Sequence, residues 1–345
     1  MDHLVRVLIV DDSAFVRKVI KQMLSRSPFL DVVGVARDGA EALELVEELR
    51  PDVVTLDLNM PQSDGLSFLR QQMARRPVPV LIVSIASRNG EQVLQALDAG
   101  AVDVVQKPTA LANEKVLDMG DELVAKVKAA AYAKLDALVL KAPIVKKPAV
   151  APRLPTTVDI VVIAISTGGP QALKFLIPQL PSDFPVPVVI VLHMPIGFTE
   201  LYARSLAEIS KLPVTEAGAG VTLAPGMVLL APSGYHLSLM RRDADSVVTH
   251  LDLNPMDCPH RPAADVLFRS AAEVYGNRVL GIVMTGMGSD GTAGAAWIKA
   301  QGGRVFTEAE ETCVVYGMPR AVVEAGLSDR AFPLAMMSDA IQETV

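Results

Sequence analysis

The sequence is poor in the features that mark disulfide-built, membrane-spanning and nucleic-acid-binding proteins. Its 345 residues include only two cysteines, Cys258 and Cys313, without metal-ligand spacing, which excludes a disulfide framework and fits a reducing compartment. No apolar run is long enough to span a bilayer. A formal net charge of −7 argues against nucleic acid as the main partner. The first residues carry no secretory pattern, so we expect a soluble, cytoplasmic protein with no direct membrane insertion.

Length and hydrophobic content indicate two domains. The chain is long enough for two cores, and half of its residues are hydrophobic. A Pro-rich, Lys-containing segment at 142–155 reads as an extended spacer. We therefore predict a first domain at 1–124, a linker at 125–156 and a second domain at 157–345.

The first domain alternates strand-like and helix-like runs. Strands are predicted at Val5–Val10, Asp31–Ala36, Val53–Leu56, Val78–Val83 and Ala101–Val105, with a helix after each. Five such units predict an α/β fold with one doubly wound, five-stranded parallel sheet.

Polar side chains follow the ends of these strands. They are Asp11, Asp12, Asp57, Ser84 and Lys107. Carboxylates gathered at one sheet edge repel one another, and a hard divalent cation such as Mg²⁺ relieves that repulsion. A lysine and a hydroxyl beside them complete a pocket for a phosphoryl group, with Asp57 as the nucleophile. Each residue alone is explained as a helix cap or a strand end, but five at matching positions favour the phosphoryl pocket.

Residues 4–124 resemble the receiver domains of two-component signalling proteins. The resemblance is carried by Val-Asp-Asp-Ser at 10–13, Leu-Asp-Leu-Asn-Met-Pro at 56–61, Asp-Gly-Leu at 64–66 and Gln-Lys-Pro at 106–108. It implies that a histidine kinase is the phosphodonor for Asp57, and that Ser84 and Lys107 contact the phosphoryl group.

The same resemblance implies a Mg²⁺ site. Its ligands would be the side chains of Asp12 and Asp57 and the carbonyl of Asn59, with Asp11 in support. One position departs from the receiver pattern, because Val104 stands where an aromatic residue usually precedes the lysine by three positions. The resemblance therefore does not extend to the usual aromatic switch.

The second half is organised around a buried strand that ends at a serine. The Ile- and Val-rich run from Val158 stops at Ser166, and Thr-Gly-Gly-Pro and an amphipathic helix follow. This places the Ser166 hydroxyl at the carboxyl edge of a sheet, near backbone N–H groups that could stabilise negative charge. A Gly-rich phosphate-binding turn is an alternative interpretation of the stretch alone.

Two further strands end at residues that complement a serine nucleophile. Val186–Leu192 leads into His193, and Val279–Met284 opens into a glycine-rich loop that contains Asp290. A histidine takes the serine proton and a carboxylate orients the imidazole, in any chain order. His236 and His260 compete as bases, but His236 lies in an alternating hairpin and His260 lies before a helix. An alternating pair at 235–240 and 246–253 predicts an antiparallel hairpin beside a mostly parallel sheet.

These segments resemble the chemotaxis response-regulator family of protein-glutamate methylesterases. The resemblance is carried by Ser-Thr-Gly-Gly-Pro at 166–170, His-Met-Pro at 193–195 and Thr-Gly-Met-Gly-Ser-Asp-Gly at 285–291. A receiver joined to this domain is also the domain order of that family. The resemblance implies a catalytic triad of Ser166, His193 and Asp290, with no cofactor needed for ester hydrolysis.

The family resemblance also implies a substrate. This would be the γ-methyl ester of glutamate on the cytoplasmic domains of methylated chemoreceptors, with deamidation of certain receptor glutamines as a second reaction. We expect the backbone N–H groups of Thr167 and Met287 to hold the oxyanion. The chain departs from the family at Ala164-Ile165 and at Arg-Pro-Ala-Ala-Asp (261–265), outside the triad, which could alter substrate fit.

Three other functions compete with this interpretation. A general serine esterase or peptidase would use the same three residues, and sequence barely separates it. A phosphorylation-controlled binding module would not need an intact Ser, His and Asp. A DNA-binding regulator would need a basic helix-turn-helix after the linker, where the chain has a large α/β domain.

Overall fold

The structure is a computed structural model that describes residues 4–60, 64–84, 86–107, 115–138 and 158–345, with backbone alone at 86–89 and 115–119. Its chain divides into two compact units, Met1–Val139 and Leu140–Val345. Pro61 and Pro108 of the receiver motifs lie outside the described residues, as does most of the predicted linker.

The first unit is built on a parallel sheet. Its strands are β1 (Val5–Val10), β2 (Leu30–Ala36), β3 (Val53–Leu56), β4 (Val80–Ser84) and β5 (Asp103–Gln106). They lie in the order β2-β1-β3-β4-β5, and every pairing is parallel. The predicted doubly wound, five-stranded sheet is confirmed. All four residues of β3 are buried, as expected for a strand covered on both faces.

Helices follow each strand of this sheet. They are α1 (Ala14–Leu24), α2 (Gly39–Leu49), α3 (Gly65–Arg75), α4 (Ala86–Asp98) and α5 (Lys115–Ala131). The first three begin at side-chain caps, as when the Asp38 carboxylate accepts from the N–H groups of Ala40 and Glu41. Helix α5 continues past residue 124 and buries Val127 and Ala130, so its apolar face extends the packing of the first unit.

The second unit contains a larger sheet and a hairpin. Its strands are β6 (Ile160–Ile165), β7 (Val188–Leu192), β8 (Val214–Glu216), β9 (Val228–Leu230), β10 (His236–Arg241), β11 (Val247–Asp252), β12 (Val279–Val283), β13 (Arg304–Glu308) and β14 (Arg330–Phe332). Seven of them form a parallel sheet in the order β14-β13-β12-β6-β7-β9-β8. Strands β10 and β11 pair antiparallel, which confirms the predicted hairpin.

The helices of this unit are α6 (Gly169–Leu176), α7 (Thr199–Ile209), α8 (Ala264–Tyr275), α9 (Thr292–Ala300), α10 (Met318–Glu324) and α11 (Leu334–Thr344). After α10 the chain continues into β14 and then α11, which ends one residue before the last described position. Gly326, with φ of 68°, follows the end of α10 and allows the chain to turn back toward the sheet.

The middle of the seven-stranded sheet is where the chain reverses its direction of travel. From β6 the chain moves to β7 on one side, and later returns to place β12 on the other side of β6. Ligands of open α/β sheets bind at the carboxyl ends of the strands, beside such a switch point. Ile165 of β6 lies opposite Leu192 of β7, so the residues that follow each of them start from adjacent positions.

Lys126 is a buried cation that anchors α5 to the first sheet. Its Nζ lies 3.2 Å from Asp103 Oδ1 and 2.8 Å from the carbonyl oxygen of Val104. The substitution Lys126→Met leaves a buried carboxylate without its lysine, so we expect a loss of about 3 kcal/mol in the stability of the first unit. Urea unfolding of the full chain measures this loss.

The matched control is Lys21→Met on an exposed position of α1, where we expect a change below about 0.5 kcal/mol. Equal stability of the Lys126 and Lys21 variants would contradict the anchoring role.

Candidate active site

Ser166 is the first residue after β6 and begins the turn into α6. Its N–H donates to the Thr285 carbonyl oxygen at 3.0 Å, and its own carbonyl accepts from the Gly169 N–H at 2.7 Å. Gly168 has φ of 78°, and a Cβ there would lie 2.6 Å from a valine side chain, so the turn requires glycine. The turn holds Ser166 at the carboxyl edge of the sheet with only 5% of its surface exposed.

His193 is the first residue after β7. Its N–H donates to the Ile165 carbonyl oxygen at 3.1 Å, which ties the end of β7 to the residue before Ser166. Its ring Nε2 lies 2.8 Å from Asp290 Oδ2. The ring stacks on His260 with centroids 4.3 Å apart. Within the described part of the chain, His193 Nδ1 has no hydrogen-bond partner.

The Asp290 carboxylate lies at the N-terminus of α8. Its Oδ2 accepts from the Ala264 N–H at 2.7 Å, and its Oδ1 accepts from the N–H groups of Asp265 and Gly291, each at 3.0 Å. Burial alone would raise the pKa of the Asp290 carboxyl, but hydrogen bonds and charge from His193 and from these N–H groups hold that pKa below its ordinary value. Asp290 is therefore ionised at neutral pH.

Asp265 makes the reciprocal contact, with its carboxylate at the N-terminus of α9. Its Oδ1 accepts from the Gly294 N–H at 2.7 Å, near the start of α9. Asp290, which precedes α9, thus caps α8, while Asp265, in the first turn of α8, caps α9. We call this pair the crossed caps. Burial raises the pKa of the Asp265 carboxyl above its ordinary value.

The ionised Asp290 decides which nitrogen of His193 can act as a base. A carboxylate only accepts hydrogen bonds, so the neutral ring carries its proton on Nε2 and leaves Nδ1 as the acceptor. Among the described residues, the Ser166 hydroxyl does not hydrogen-bond to the ring. Such bonds often tighten only in the substrate complex. The structure therefore joins His193 to Asp290 directly and places Ser166 just past the end of the neighbouring strand β6.

The competing histidines have other roles. His236 is buried, and its Nδ1 accepts from the Ala263 N–H at 3.2 Å while its Nε2 donates to the Pro255 carbonyl at 3.1 Å. Burial lowers the pKa of His236. With both nitrogens engaged, His236 holds the start of α8 in place. His260 stacks on His193, but it is His193 that contacts Asp290, so the geometry favours His193 as the base.

The two predicted oxyanion donors flank the serine. Thr167 is buried, and its carbonyl accepts from the Thr285 hydroxyl at 2.9 Å. Met287 follows Gly286, where a Cβ would come within 2.8 Å of the Ser166 Cβ, so the loop after β12 packs tightly on the serine. The role of both N–H groups as oxyanion donors stays a prediction.

The first unit gathers its predicted residues at one edge of the sheet. Lys107 Nζ lies 2.6 Å from Asp57 Oδ2 and 2.8 Å from Asp11 Oδ2. Although burial favours the neutral amine, hydrogen bonds to these two carboxylates raise the pKa of Lys107, while burial raises the pKa of Asp11. Oxygens of Asp11, Asp12 and Asp57 lie within 4.8 Å of one another. This acidic cluster could hold a metal ion, because oxygen donors with excess negative charge suit a hard divalent cation.

The remaining predicted residues of this pocket surround Asp57. The Asn59 N–H donates to Asp57 Oδ1 at 3.1 Å. Ser84 is fully buried, and its hydroxyl has no partner among the described residues, which leaves it available to a phosphoryl oxygen. Val104 is buried at the position where receivers usually carry an aromatic side chain.

Comparison with known proteins places the chain in a family. The profile of CheB methylesterase matches residues 161–341, and that of the response regulator receiver domain matches 7–117. The chain belongs to the CheB methylesterase family. Protein-glutamate methylesterase/protein-glutamine glutaminase 5 of Myxococcus xanthus is 51% identical over 96% of each chain. A protein-glutamate methylesterase/protein-glutamine glutaminase of Symbiobacterium thermophilum is 46% identical over 99% of this chain and 97% of that protein.

A solved structure supports the fold of the second unit of this CheB-family chain. The CheB methylesterase catalytic domain of Thermotoga maritima matches with 43% sequence identity and a TM-score of 0.53. The matched region covers 55% of this chain and 99% of that structure. The predicted α/β class and the resemblance to protein-glutamate methylesterases are thereby confirmed. Within the described part of the chain, no helix combines the length and apolar character needed to cross a bilayer.

Two acidic residues of the second unit were not predicted from the sequence, the half-buried Asp265 and the buried Glu308. An acidic residue in the first turn of a helix, such as Asp265, is common on protein surfaces, so the helix pattern alone did not mark it. Glu308 is the last residue of β13, and polar residues likewise follow the ends of β6 and β7 directly. That position at the carboxyl edge of the sheet is the signal that would have identified it.

The loop after β12 generates a steric prediction for the family's ester hydrolysis. In Gly286→Ala, the new methyl group would lie 2.5 Å from Met318 Sδ and 2.8 Å from Ser166 Cβ. We expect a loss of about 1–3 kcal/mol in stability from overpacking and at least a roughly tenfold fall in kcat from displacement of the serine.

The matched control is Gly218→Ala, where the nearest atom is 3.6 Å away. Its stability and kcat should stay close to those of the parent chain. Full activity of Gly286→Ala would show that the loop does not constrain Ser166.

Proposed function

We propose that this protein is a phosphorylation-regulated serine hydrolase that demethylates glutamate γ-methyl esters on chemoreceptor cytoplasmic domains, with release of methanol. The same site would deamidate specific receptor glutamines, and both reactions would serve adaptation in chemotaxis. The observation that carries the proposal is the 2.8 Å contact between His193 and an ionised Asp290, beside Ser166 at the switch point of the sheet. The names and identities of the relatives support the substrate.

In this mechanism Ser166 Oγ attacks the ester carbonyl carbon, and His193 Nδ1 accepts the hydroxyl proton. Asp290 stabilises the imidazolium that forms, because its carboxylate faces the other ring nitrogen. The N–H groups of Thr167 and Met287 would hold the oxyanion, and such donors are each worth about 3 kcal/mol at comparable sites.

The remaining steps return the enzyme to its starting state. The imidazolium gives its proton to the methoxy oxygen, the C–O bond breaks and methanol leaves an acyl-serine. Water then attacks this ester, His193 takes one of its protons, and the tetrahedral adduct collapses. The proton returns to Ser166 Oγ as the glutamate carboxyl is released. With a glutamine side chain, ammonia leaves in place of methanol. This hydrolysis uses no cofactor.

The acidic cluster of the receiver would accept a phosphoryl group on Asp57 from a histidine kinase. The side chains of Asp12 and Asp57 and the carbonyl of Asn59, supported by Asp11, would hold Mg²⁺, which neutralises phosphoryl charge when bound. The crowding of the carboxylates of Asp11, Asp12 and Asp57 supports a bound cation, because it would neutralise their mutual repulsion.

Two further groups would contact the transferred phosphoryl group. The buried, unpartnered Ser84 hydroxyl would donate to one of its oxygens. Lys107, which forms an ion pair with Asp57 in this structure, would pair with the negative charge of the phosphoryl group. A kinase donor and receptor substrates of this kind place the protein in the cytoplasm.

The hydrolase assignment predicts a specific loss in Ser166→Ala. Without the hydroxyl no acyl-enzyme forms, so methanol release from methylated receptor membranes should fall to background, while phosphorylation of Asp57 should stay intact. Ser338→Ala is a matched control, since this buried serine accepts a hydrogen bond from Gln342 inside α11. Turnover by Ser166→Ala at the parent rate would refute the assignment.

The domain order generates a prediction about regulation. We propose a receiver at 1–124, a linker at 125–156 and a methylesterase domain at 157–345, with the unphosphorylated receiver restraining the hydrolase until charge is added at Asp57. Removal of residues 1–140 should then raise basal methanol release.

The full chain with Asp57→Asn serves as the comparison, and a small phosphodonor should activate only the parent chain. Unchanged or lower activity of the truncated protein would favour a receiver that only tethers the enzyme to its kinase.

A further inference from the structure

A buried carboxyl group with no part in the mechanism lies behind the Ser166 turn. Glu308 ends β13 with 0% of its surface exposed. Its Oε2 accepts from the Thr285 N–H at 2.9 Å, and its Oε1 accepts from the Thr312 hydroxyl at 3.0 Å. Among the described residues, no lysine, arginine or histidine pairs with it. A buried acid without a cation is costly, so its place in the fold needs an explanation.

Thr285, the residue that Glu308 holds, is bonded to the nucleophile turn at two points. Its carbonyl accepts from the Ser166 N–H at 3.0 Å. Its hydroxyl donates to the Thr167 carbonyl at 2.9 Å and accepts from the Val315 N–H at 3.0 Å. The carbonyl and hydroxyl of Thr285 thus face the turn and its neighbour, and the N–H, bonded to Glu308, faces away from it.

We propose that Glu308 is a positioning residue for the hydrolase. It fixes Thr285, whose carbonyl and hydroxyl are hydrogen-bonded to the backbone of Ser166 and Thr167. This inference rests on the proposed function of the Ser166 site. The contact acts through two hydrogen bonds in series, Glu308 to Thr285 and Thr285 to Ser166. Displacement of a reacting group by about 1 Å can cost a hundredfold in rate, so such support matters for kcat.

The surroundings of Glu308 accommodate both of its protonation states. Burial raises the pKa of the Glu308 carboxyl from 4.5 to about 7, against the lowering effect of the Thr285 N–H and the Thr312 hydroxyl. When Oε1 is protonated, the Thr312 hydroxyl can turn to the Ala309 carbonyl at 3.3 Å and accept the new proton. Oε2 still accepts from Thr285. The nearby titratable group is the Cys313 thiol, which donates to the Glu308 carbonyl at 3.8 Å.

Two substitutions in the full-length protein test the proposal by methanol release. Glu308→Ala removes the acceptor for Thr285, so kcat should fall by about tenfold or more while KM stays within about twofold, since substrate contacts are unchanged. Glu308→Gln keeps an acceptor oxygen and should retain kcat within about threefold. Hydrogen exchange of the Thr285 amide should be faster in the Ala variant than in the Gln variant.

Thr249→Val controls for a general loss of stability. Thr249 is buried on β11, donates to the Gly218 carbonyl at 2.6 Å and accepts from the Val221 N–H at 2.9 Å. This variant should unfold at a lower temperature and keep its kcat. The proposal is overturned if Glu308→Ala keeps the parent kcat, or if Thr249→Val loses as much kcat for the same fall in Tm.

A pH series gives a readout that does not depend on turnover. A carboxyl with a raised pKa adds stability that is fully present below 4.5 and is lost as the pH rises through about 7. Glutamine does not titrate, so the Tm of Glu308→Gln should rise relative to that of the parent between these pH values. A pH-independent difference would contradict the raised pKa of the Glu308 carboxyl.

The proposed function and the positioning role fail separately. If Ser166→Ala keeps its turnover, the hydrolase assignment is wrong, and Glu308 cannot be positioning that nucleophile. If Ser166→Ala is inactive while Glu308→Ala keeps full kcat, the hydrolase assignment stands and the positioning role is wrong.

Discussion

The Asp290 carboxylate accepts hydrogen bonds from the His193 ring and from the N–H groups of Ala264, Asp265 and Gly291. The start of α8 and the loop after β12 are joined through this one side chain. Because the N-terminus of a helix stabilises negative charge, the carboxylate stays ionised although it is buried. An ionised Asp290 in turn leaves His193 Nδ1 as the only basic nitrogen of the neutral ring. The start of α8 thus keeps Asp290 ionised, and the ionised Asp290 makes Nδ1 the ring nitrogen that accepts the proton.

The main outline of this site was predictable from local sequence patterns. Buried parallel strands read as apolar runs, and their carboxyl ends meet at one sheet edge, so Ser166 and His193 could be placed together before any coordinates. The choice of ring nitrogen could not be predicted, because it depends on which nitrogen of His193 faces Asp290, a contact across 97 residues of chain. The structural role of His236 was hidden for the same reason, since its partners Pro255 and Ala263 lie 19 and 27 residues further along the chain.

The receiver shows the same division between local and long-range information. Its strand ends predicted the cluster around Asp57, and the structure brings Lys107 to that carboxylate. Helical spacing in the sequence indicates that α5 continues past residue 124, but it does not show that Val127 and Ala130 are buried there. Packing against the sheet, rather than helix propensity, decides where that element ends.

The crossed caps give Asp290 a structural role that does not depend on its role in catalysis. If a descendant of this protein no longer needed to cleave esters, Ser166 could drift without uncapping any helix. Asp290 and Asp265 could not be lost in this way, because each accepts a hydrogen bond from an N–H group at the start of the other's helix. Selection for a folded domain alone would preserve the carboxylate long after the nucleophile was gone. The persistence of this aspartate in an alignment is therefore weak evidence of catalysis, whereas the serine is the informative position.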